Sequence, residues 1–354
     1  MTAAAACVLT GVGVGVASAQ RSAQAHGSAP SQAAPWTAYV DVSVATLWTS
    51  PSKPRPRIDT PALTNPVNMQ RWLSNMSTRQ RLALTSRNAT QTQALLGTKV
   101  YIIGQRPGWD EIAVTGQPTP KNPLGYPGWV PAVQLTQNPS FGAAHNRPFA
   151  LVTGAPTVWL YNNHQLTGQY MQISYATRLP VLARRGQAIE VQTPTQGPKW
   201  LSAATSQVYD SVSDIPHPTG HQLARDIEMF KGGAYIWGGR SGFMDDCSGL
   251  TSLVYQGNGM TVARDANAQA IGGLWEGDPD LSAADTAGLK PGDVMYYADG
   301  QGTETETIYH DAMYVGNGQM VEAYGAGVPI RITPVRTTAS DDYWGAIQFL
   351  TSGS

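Results

Sequence analysis

Between Trp36 and Tyr209 the chain passes twice through the same order of short apolar runs, each closed by proline, glycine or asparagine. The first pass reads TAYVDVSVATLW, KVYIIG, WDEIAV and GYPGWVPAVQL; the second reads FALVTGAPTVWLY, RLPVLARR, AIEVQT and GPKWLSAATSQVY. Runs of this length, rich in β-branched and aromatic residues and bounded by turn formers, are strands rather than helices. In both passes a strand with Trp near its end precedes a strand flanked by basic residues, an Ile-containing strand and a closing strand in which Gly precedes Trp. A duplicated small β-barrel is therefore expected. One stretch breaks the pattern. NMQRWLSNMSTRQRLALTSRN, with Trp72, Leu73, Met76, Leu82 and Leu84, reads as one or two short helices inserted in the first β unit.

The 354 residues, 42% of them hydrophobic, suffice for three domains, expected at 36–140, 141–212 and 213–354. A net charge of -1 without a long basic run disfavours nucleic acid or an anionic membrane surface as partner, and no stretch is long and apolar enough to span a bilayer. The first residues form a short apolar run ending in Ala17-Ser18-Ala19, the small-x-small pattern of a secretion signal cut after Ala19. Since no Lys or Arg stands near its start, a mis-assigned start codon or a disordered tail is the other reading. Residues 20–35, mostly Ala, Ser, Gln and Pro, form a linker. The expected location is the cell envelope or the medium. Of the two cysteines, Cys7 lies in the leader, so the mature chain keeps Cys247 alone and forms no internal disulfide. A single thiol retained in an oxidising compartment points to reactivity.

From Pro216 the character changes. HQLARDIEMFKGG places Leu223, Ile227 and Phe230 on one helical face before a glycine stop. GGAYIWGGRSGFMDDCSGLTSLVYQ follows, in which Leu250, Leu253 and Val254 recur at helical spacing, so Cys247 falls in the first turn of a helix. There the free N–H groups and the positive end of the helix dipole favour thiolate over thiol. A small buried Cys that merely packs is the alternative. Strands DVMYYA, IYHDAMYV, QMVEAYG, PIRITPV and WGAIQFL complete an α+β arrangement of papain-like type, a helix carrying the nucleophile on an antiparallel sheet.

A nucleophilic cysteine needs a base, and the base needs an orienting group. His310 is the histidine on a strand downstream of Cys247. Its register to Glu322 depends on the turn at Gly316-Asn317-Gly318. A two-residue turn puts His310 and Glu322 on opposite faces, whereas a three-residue turn sets Ala312 opposite Glu322 and His310 beside it on the same face. In the second register Glu322 orients the imidazole; otherwise it is an exposed edge carboxylate.

Gly-x-Tyr-x-Trp-Gly-Gly, Asp-Cys-Ser-Gly-Leu, Leu-x-Pro-Gly-Asp-Val from Leu289 to Val294, and His-x-x-x-Tyr-x-Gly-Asn-Gly occur in the order seen in the NlpC-type bacterial cell-wall cysteine peptidases, which the segment from Pro216 to Leu350 resembles. The closing GYPGWVP and GPKWLSA resemble the ends of bacterial SH3 domains. This resemblance implies hydrolysis of the γ-D-glutamyl to diamino-acid bond of peptidoglycan stem peptides, with Cys247 as nucleophile, His310 as base and Glu322 as third polar residue, where the family more often has His, Asn or Gln. It implies that Tyr235 lies near the nucleophile and donates to the oxyanion, unless it is only a sheet aromatic. Asp246 and Ser248 match positions lining the substrate channel, although either also suits the backbone at the helix start. Arg264-Asp265-Ala266 resembles the Arg-Asp-Ala motif of the subset carrying SH3 domains, the dipeptidyl-peptidase VI-like enzymes. There the Asp holds the free amine of an N-terminal L-alanine, and a tyrosine, matched by Tyr126, helps close the pocket. The acidic partner from the first barrel has no secure match; Glu111, the only Glu there, fits poorly. No cofactor or metal is expected, and a monomer is expected. The alternatives are a broader murein endopeptidase or amidase acting on intact wall, and a non-catalytic peptidoglycan-binding protein.

Overall fold

Local sequence makes strands of the repeated runs, and hydrogen bonding orders them identically in both passes. The computed structural model describes residues 36–145, 147–272, 288–299, 307–337 and 341–350; the leader, its cleavage point, Cys7 and the linker lie outside them. Strands β1 (Trp36–Val40), β2 (Val44–Trp48), β3 (Thr90–Leu95), β4 (Lys99–Arg106), β5 (Trp109–Val114), β6 (Tyr126–Pro131) and β7 (Leu135–Thr136) form one sheet in the order β3-β2-β6-β5-β4-β1-β7. Strands β8 (Phe149–Val152), β9 (Thr157–Tyr161), β10 (Gln169–Ser174), β11 (Arg178–Arg185), β12 (Ala188–Gln192), β13 (Pro198–Ser202) and β14 (Ser206–Tyr209) form a second in the order β10-β9-β13-β12-β11-β8-β14. Each position of the second order is the first advanced by seven strands. The repeat in the sequence is thus a repeat in topology.

The expected strands are modified in places; β10, for one, was not among them. TAYVDVSVATLW is broken at Asp41, whose carboxylate is buried and accepts hydrogen bonds from Thr195 and Gln196 in the turn between β12 and β13. The TQTQAL of β3 was not expected as a strand, because polar residues alternate on it with Thr instead of apolar ones.

The stretch between β2 and β3 forms α1 (Met69–Ser74) and α2 (Thr78–Ser86). Asn68 caps the first, and a reciprocal Ser77–Gln80 capping box starts the second. Trp72 is buried from α1 against Trp48, with ring centroids 5.9 Å apart, and its indole N–H donates to Asp59 at 2.8 Å. A further short helix, α3 (Pro139–Ala144), leads into the second sheet and buries Phe141 against Tyr39.

Beyond residue 215 come α4 (Gly220–Glu228), the short hairpin of β15 (Arg240–Ser241) and β16 (Met244–Asp245), α5 (Cys247–Gly257) and α6 (Ala266–Gly272). They are followed by β17 (Val294–Ala298), β18 (Ile308–Gly316), β19 (Gln319–Glu322), β20 (Arg331–Pro334) and β21 (Tyr343–Ile347), an antiparallel sheet ordered β20-β19-β18-β17-β21. Leu223 and Ile227 of α4 and Leu250, Leu253 and Val254 of α5 share one buried cluster with Val294, Tyr296, Met313 and Val321 of this sheet. Trp48 and Trp129 of the first sheet, Trp72 of α1 and Tyr175 just after β10 belong to the same cluster, so the three portions are packed through one apolar core.

β3 joins the first sheet to the start of α5. The hydroxyl of Thr90 donates to the carbonyl of Trp237, Thr92 accepts from Arg264, and Gln93 accepts from the Arg240 N–H and the Ser241 hydroxyl. Gly249 sits where any side chain would collide: an added Cβ would lie 1.9 Å from the carbonyl oxygen of Gly239. That close approach seats the first turn of α5 against the preceding loop.

Candidate active site

Asp246 begins α5 as its N-cap. One carboxylate oxygen accepts the N–H of Gly249 at 2.7 Å, and the other accepts the N–H of Gly238 and the Arg264 guanidinium, both at 2.8 Å. The buried Arg264 also donates to the Ser248 hydroxyl at 3.1 Å, the Gly239 carbonyl at 3.1 Å and the Thr92 hydroxyl at 2.8 Å. Asp246 and Ser248, matched to the substrate channel by sequence, and Arg264, of the Arg-Asp-Ala motif, thus engage one another and tie the helix start to β3. Asp246 and Ser248 do line the cavity, but much of their polar capacity is already committed.

Cys247 occupies the first turn of α5 and is 7% exposed. It lines a cavity of about 810 Å³ together with Tyr126, Tyr235, Trp237, Asp265 and His310. Burial opposes the thiolate that the helix start favours. Burial pushes the thiol well above its ordinary value, and the carboxylates of Asp311 and Asp246 add to this; the N–H groups of Asp311 and Ser248 pull the other way and do not prevail. Asp311, fully buried beside the thiol, accepts from the Thr251 hydroxyl at 2.7 Å and is pushed up to about 6 by burial. Thr251 stands one helical turn beyond Cys247, so helix and strand meet directly beneath that residue. Tyr235 is buried in the same wall, its hydroxyl raised by burial and then by the neighbouring Cys247.

His310 stands on β18 and meets Glu322 of β19: Nε2 lies 2.9 Å from Oε2, and both side chains are buried. The hairpin joining the two strands combines features of both expected registers. Asn317 and Gly318, each with positive φ, form a two-residue turn between the paired Gly316 and Gln319. A bulge at Val315 then restores Tyr314 opposite Met320 and Met313 opposite Val321. The next residues along are Ala312 and Glu322, which brings His310 and Glu322 to one face.

Two arginines unforeseen from sequence hold the same carboxylate. Arg331, paired with Glu322 across β19 and β20, donates from Nη2 at 2.7 Å; Arg336 donates from Nη1 and Nη2, each at 2.9 Å, one to each oxygen. Burial alone would raise the Glu322 pKa, but the hydrogen bonds from His310, Arg336 and Arg331 outweigh it and hold the group down at about 2. The imidazole is further enclosed by Tyr297, Tyr309 and Tyr324, with ring centroids 5.5, 6.4 and 5.8 Å away.

At the other side of the cavity the Tyr126 hydroxyl lies 2.9 Å from both carboxylate oxygens of Asp265, so these two matched residues do meet. The cavity there is also lined by Gln91 of β3 and by Lys121, from the loop between β5 and β6; Glu111 is not among its lining residues. Lys121 forms an ion pair with Asp265 at 2.9 Å. Neither Gln91 nor Lys121 was expected at the site, and for Gln91 the only available signal was the period-two TQTQAL.

A family model described as NlpC/P60 family matches residues 232–348, and one described as the YKFC SH3b2 domain matches residues 153–209. A gamma-D-glutamyl-L-lysine dipeptidyl-peptidase of Bacillus cereus is 40% identical over 314 residues, covering 88% of this chain and 91% of that protein. The chain belongs to the NlpC/P60 family. An enzyme of the same name from Bacillus subtilis is 32% identical over 300 residues, 84% of this chain and 93% of the relative. The crystal structure of an NlpC/P60 family protein from Bacillus cereus superimposes with a TM-score of 0.81 at 40% identity, covering 89% of this chain and all of that one. As an NlpC/P60 member the protein is a cysteine peptidase, with an SH3b-like domain ahead of its catalytic domain.

Proposed function

We propose that this NlpC/P60 peptidase hydrolyses the γ-D-glutamyl bond to lysine or diaminopimelate in peptidoglycan stem peptides, with Cys247 as nucleophile, His310 as base and Glu322 holding the base. The observation that carries the reading is the His310–Glu322 contact at the wall of the cavity that Cys247 lines. Because Nε2 faces Glu322, Nδ1 is the ring nitrogen that takes the thiol proton. Burial disfavours the thiolate, and His310 takes the thiol proton as Sγ attacks the γ-carbonyl carbon. The oxyanion draws on the Cys247 N–H and the Tyr235 hydroxyl. His310 then returns the proton to the departing amine, and water hydrolyses the thioester.

Tyr126 and Asp265 take the free amine of an N-terminal L-alanine in this reading, which makes released wall fragments the preferred substrates. The two matching sheets are read as two bacterial SH3-like barrels and the remainder as a papain-like domain. Export rests on the apolar run ending at Ala19 and the single thiol after it. One observation favours a second reading, cleavage of stems still attached to muramic acid: Lys121 already neutralises Asp265.

A paired assay separates them. L-Ala-γ-D-Glu-diamino acid and the same peptide carrying N-acetylmuramic acid are digested and the products identified by mass spectrometry. Preference for the free peptide supports the first reading, equal rates the second, and no cleavage of either defeats both.

A further inference from the structure

Lys121 makes contacts that an incoming ammonium group would make. Its Nζ lies 2.9 Å from Asp265 Oδ2 and 3.4 Å from Gln91 Oε1, donates to the Tyr126 hydroxyl, and stands 4.4 Å from the centroid of the Tyr126 ring. Three oxygen acceptors and an aromatic face are a full set of partners for a primary ammonium. The Tyr126 hydroxyl is turned so that it donates to Asp265 and offers its lone pairs to the cation.

The backbone around Lys121 is held on both sides, whereas its side chain is partly exposed. Pro118, Pro120 and Pro123 restrict the backbone around it. The carbonyl of Pro118 accepts the Arg264 N–H at 3.0 Å, and Gln117 is held by Thr92 and the Gln93 carbonyl. The Lys121 side chain, by contrast, is 44% exposed and reaches Asp265 from solvent. Rotation about its own side-chain bonds is enough to withdraw it from Asp265 without moving the loop.

We propose that Lys121 is an internal occupant of the ammonium site made by Asp265, Tyr126 and Gln91, and that a substrate with a free N-terminal amine binds by displacing it. This rests on the reading of Asp265 as the amine-binding residue. Two ammonium groups sharing one carboxylate leave an uncompensated charge in a partly buried site, so the site holds one or the other. Lys121 therefore sets the threshold concentration for free-amine peptides, and the gain from removing it is confined to peptides that carry the amine.

The test compares wild type, Lys121→Met and Lys121→Arg on L-Ala-γ-D-Glu-L-Lys and on its N-acetylated form. Methionine keeps the apolar stem and removes the charge. For a pair this exposed, Lys121→Met is expected to lower KM for the free-amine peptide by about threefold to tenfold, with kcat moving less. No such gain is expected on the acetylated peptide, and Lys121→Arg should stay near wild type. An unchanged or higher KM for the free-amine peptide in Lys121→Met overturns the proposal. The same comparison is made by calorimetric titration of L-Ala-γ-D-Glu and N-acetyl-L-Ala-γ-D-Glu into Cys247→Ala backgrounds. Tighter binding of the free dipeptide to the Lys121→Met background supports displacement, and equal or weaker binding refutes it, whichever bond the enzyme cleaves. Failure of wild type to cleave the γ-D-glutamyl bond counts against the proposed function alone.

Discussion

His310 and Glu322 meet at 2.9 Å because Val315 bulges out of the ladder between their strands. Without that extra residue the two-residue turn at Asn317-Gly318 would send the imidazole and the carboxylate to opposite faces. Arg331 and Arg336 also hold the carboxylate, Arg336 sharing the oxygen that meets His310. The group facing His310 is therefore not a lone anion but one already paired with two guanidinium groups. The carboxylate holds the Nε2 edge of the ring, and its charge is shared with the two arginines.

Glu322→Gln keeps one acceptor for His310 and loses the charge that balances Arg331 and Arg336. The expected result is a fall in kcat of roughly tenfold to a hundredfold with a smaller change in KM. The folded-state pKa of Glu322 is depressed, so its contribution to stability is present above the ordinary value of 4.5 and is lost as pH falls toward about 2. Thermal melts between pH 5 and 2 should show wild type losing stability through this window by more than Glu322→Gln does. Parallel curves would show that the charge cluster contributes nothing.

Asp311 carries the opposite sign. Its pKa is raised from 3.8 to about 6, so the folded state binds the proton more tightly, and ionising it costs stability that accrues as pH rises between those values. Asp311→Asn should be close to neutral at pH 4 and more stable than wild type above pH 6, by up to about 3 kcal/mol. Removing the carboxylate also lowers the cost of a thiolate at Cys247, so alkylation by iodoacetamide at pH 7.5 should accelerate. An unchanged alkylation rate would separate Asp311 from control of the thiol.

Cys247→Ala should abolish turnover and leave the melting temperature close to that of wild type, since a small buried side chain is exchanged for a slightly smaller one. Residual hydrolysis by the folded variant would remove Cys247 from the chemistry.

Arg264→Met tests whether Arg264 serves chiefly to brace the site. Its loss leaves Asp246 buried without its ion pair, and disrupting such a pair costs about 3 to 5 kcal/mol. A large drop in melting temperature is expected, with the loss of activity following the loss of fold. Full stability with impaired substrate affinity would instead return Arg264 to the substrate channel.

The sequence by itself determined the features that depend on neighbouring residues. Turn formers and β-branched runs marked most of the strands of the first two sheets, helical periodicity put Cys247 in the first turn of α5, and the alternation of IYHDAMYV put His310 on a strand. The duplication was legible because both copies keep their turn residues at the same places in the order. β3 was missed because TQTQAL exposes neither an apolar face nor a helical stripe, and its polar residues find partners on β15 and Arg264 only after the sheets are packed. Tertiary structure alone decided the bulge that aligns His310 with Glu322, the convergence of Arg331 and Arg336, the burial of a thiol placed at a helix start, and the seating of Lys121 on Asp265. Helix and strand signals are carried by residues a few positions apart. The charge state of a buried group depends instead on desolvation and on partners from distant segments, and packing sets both.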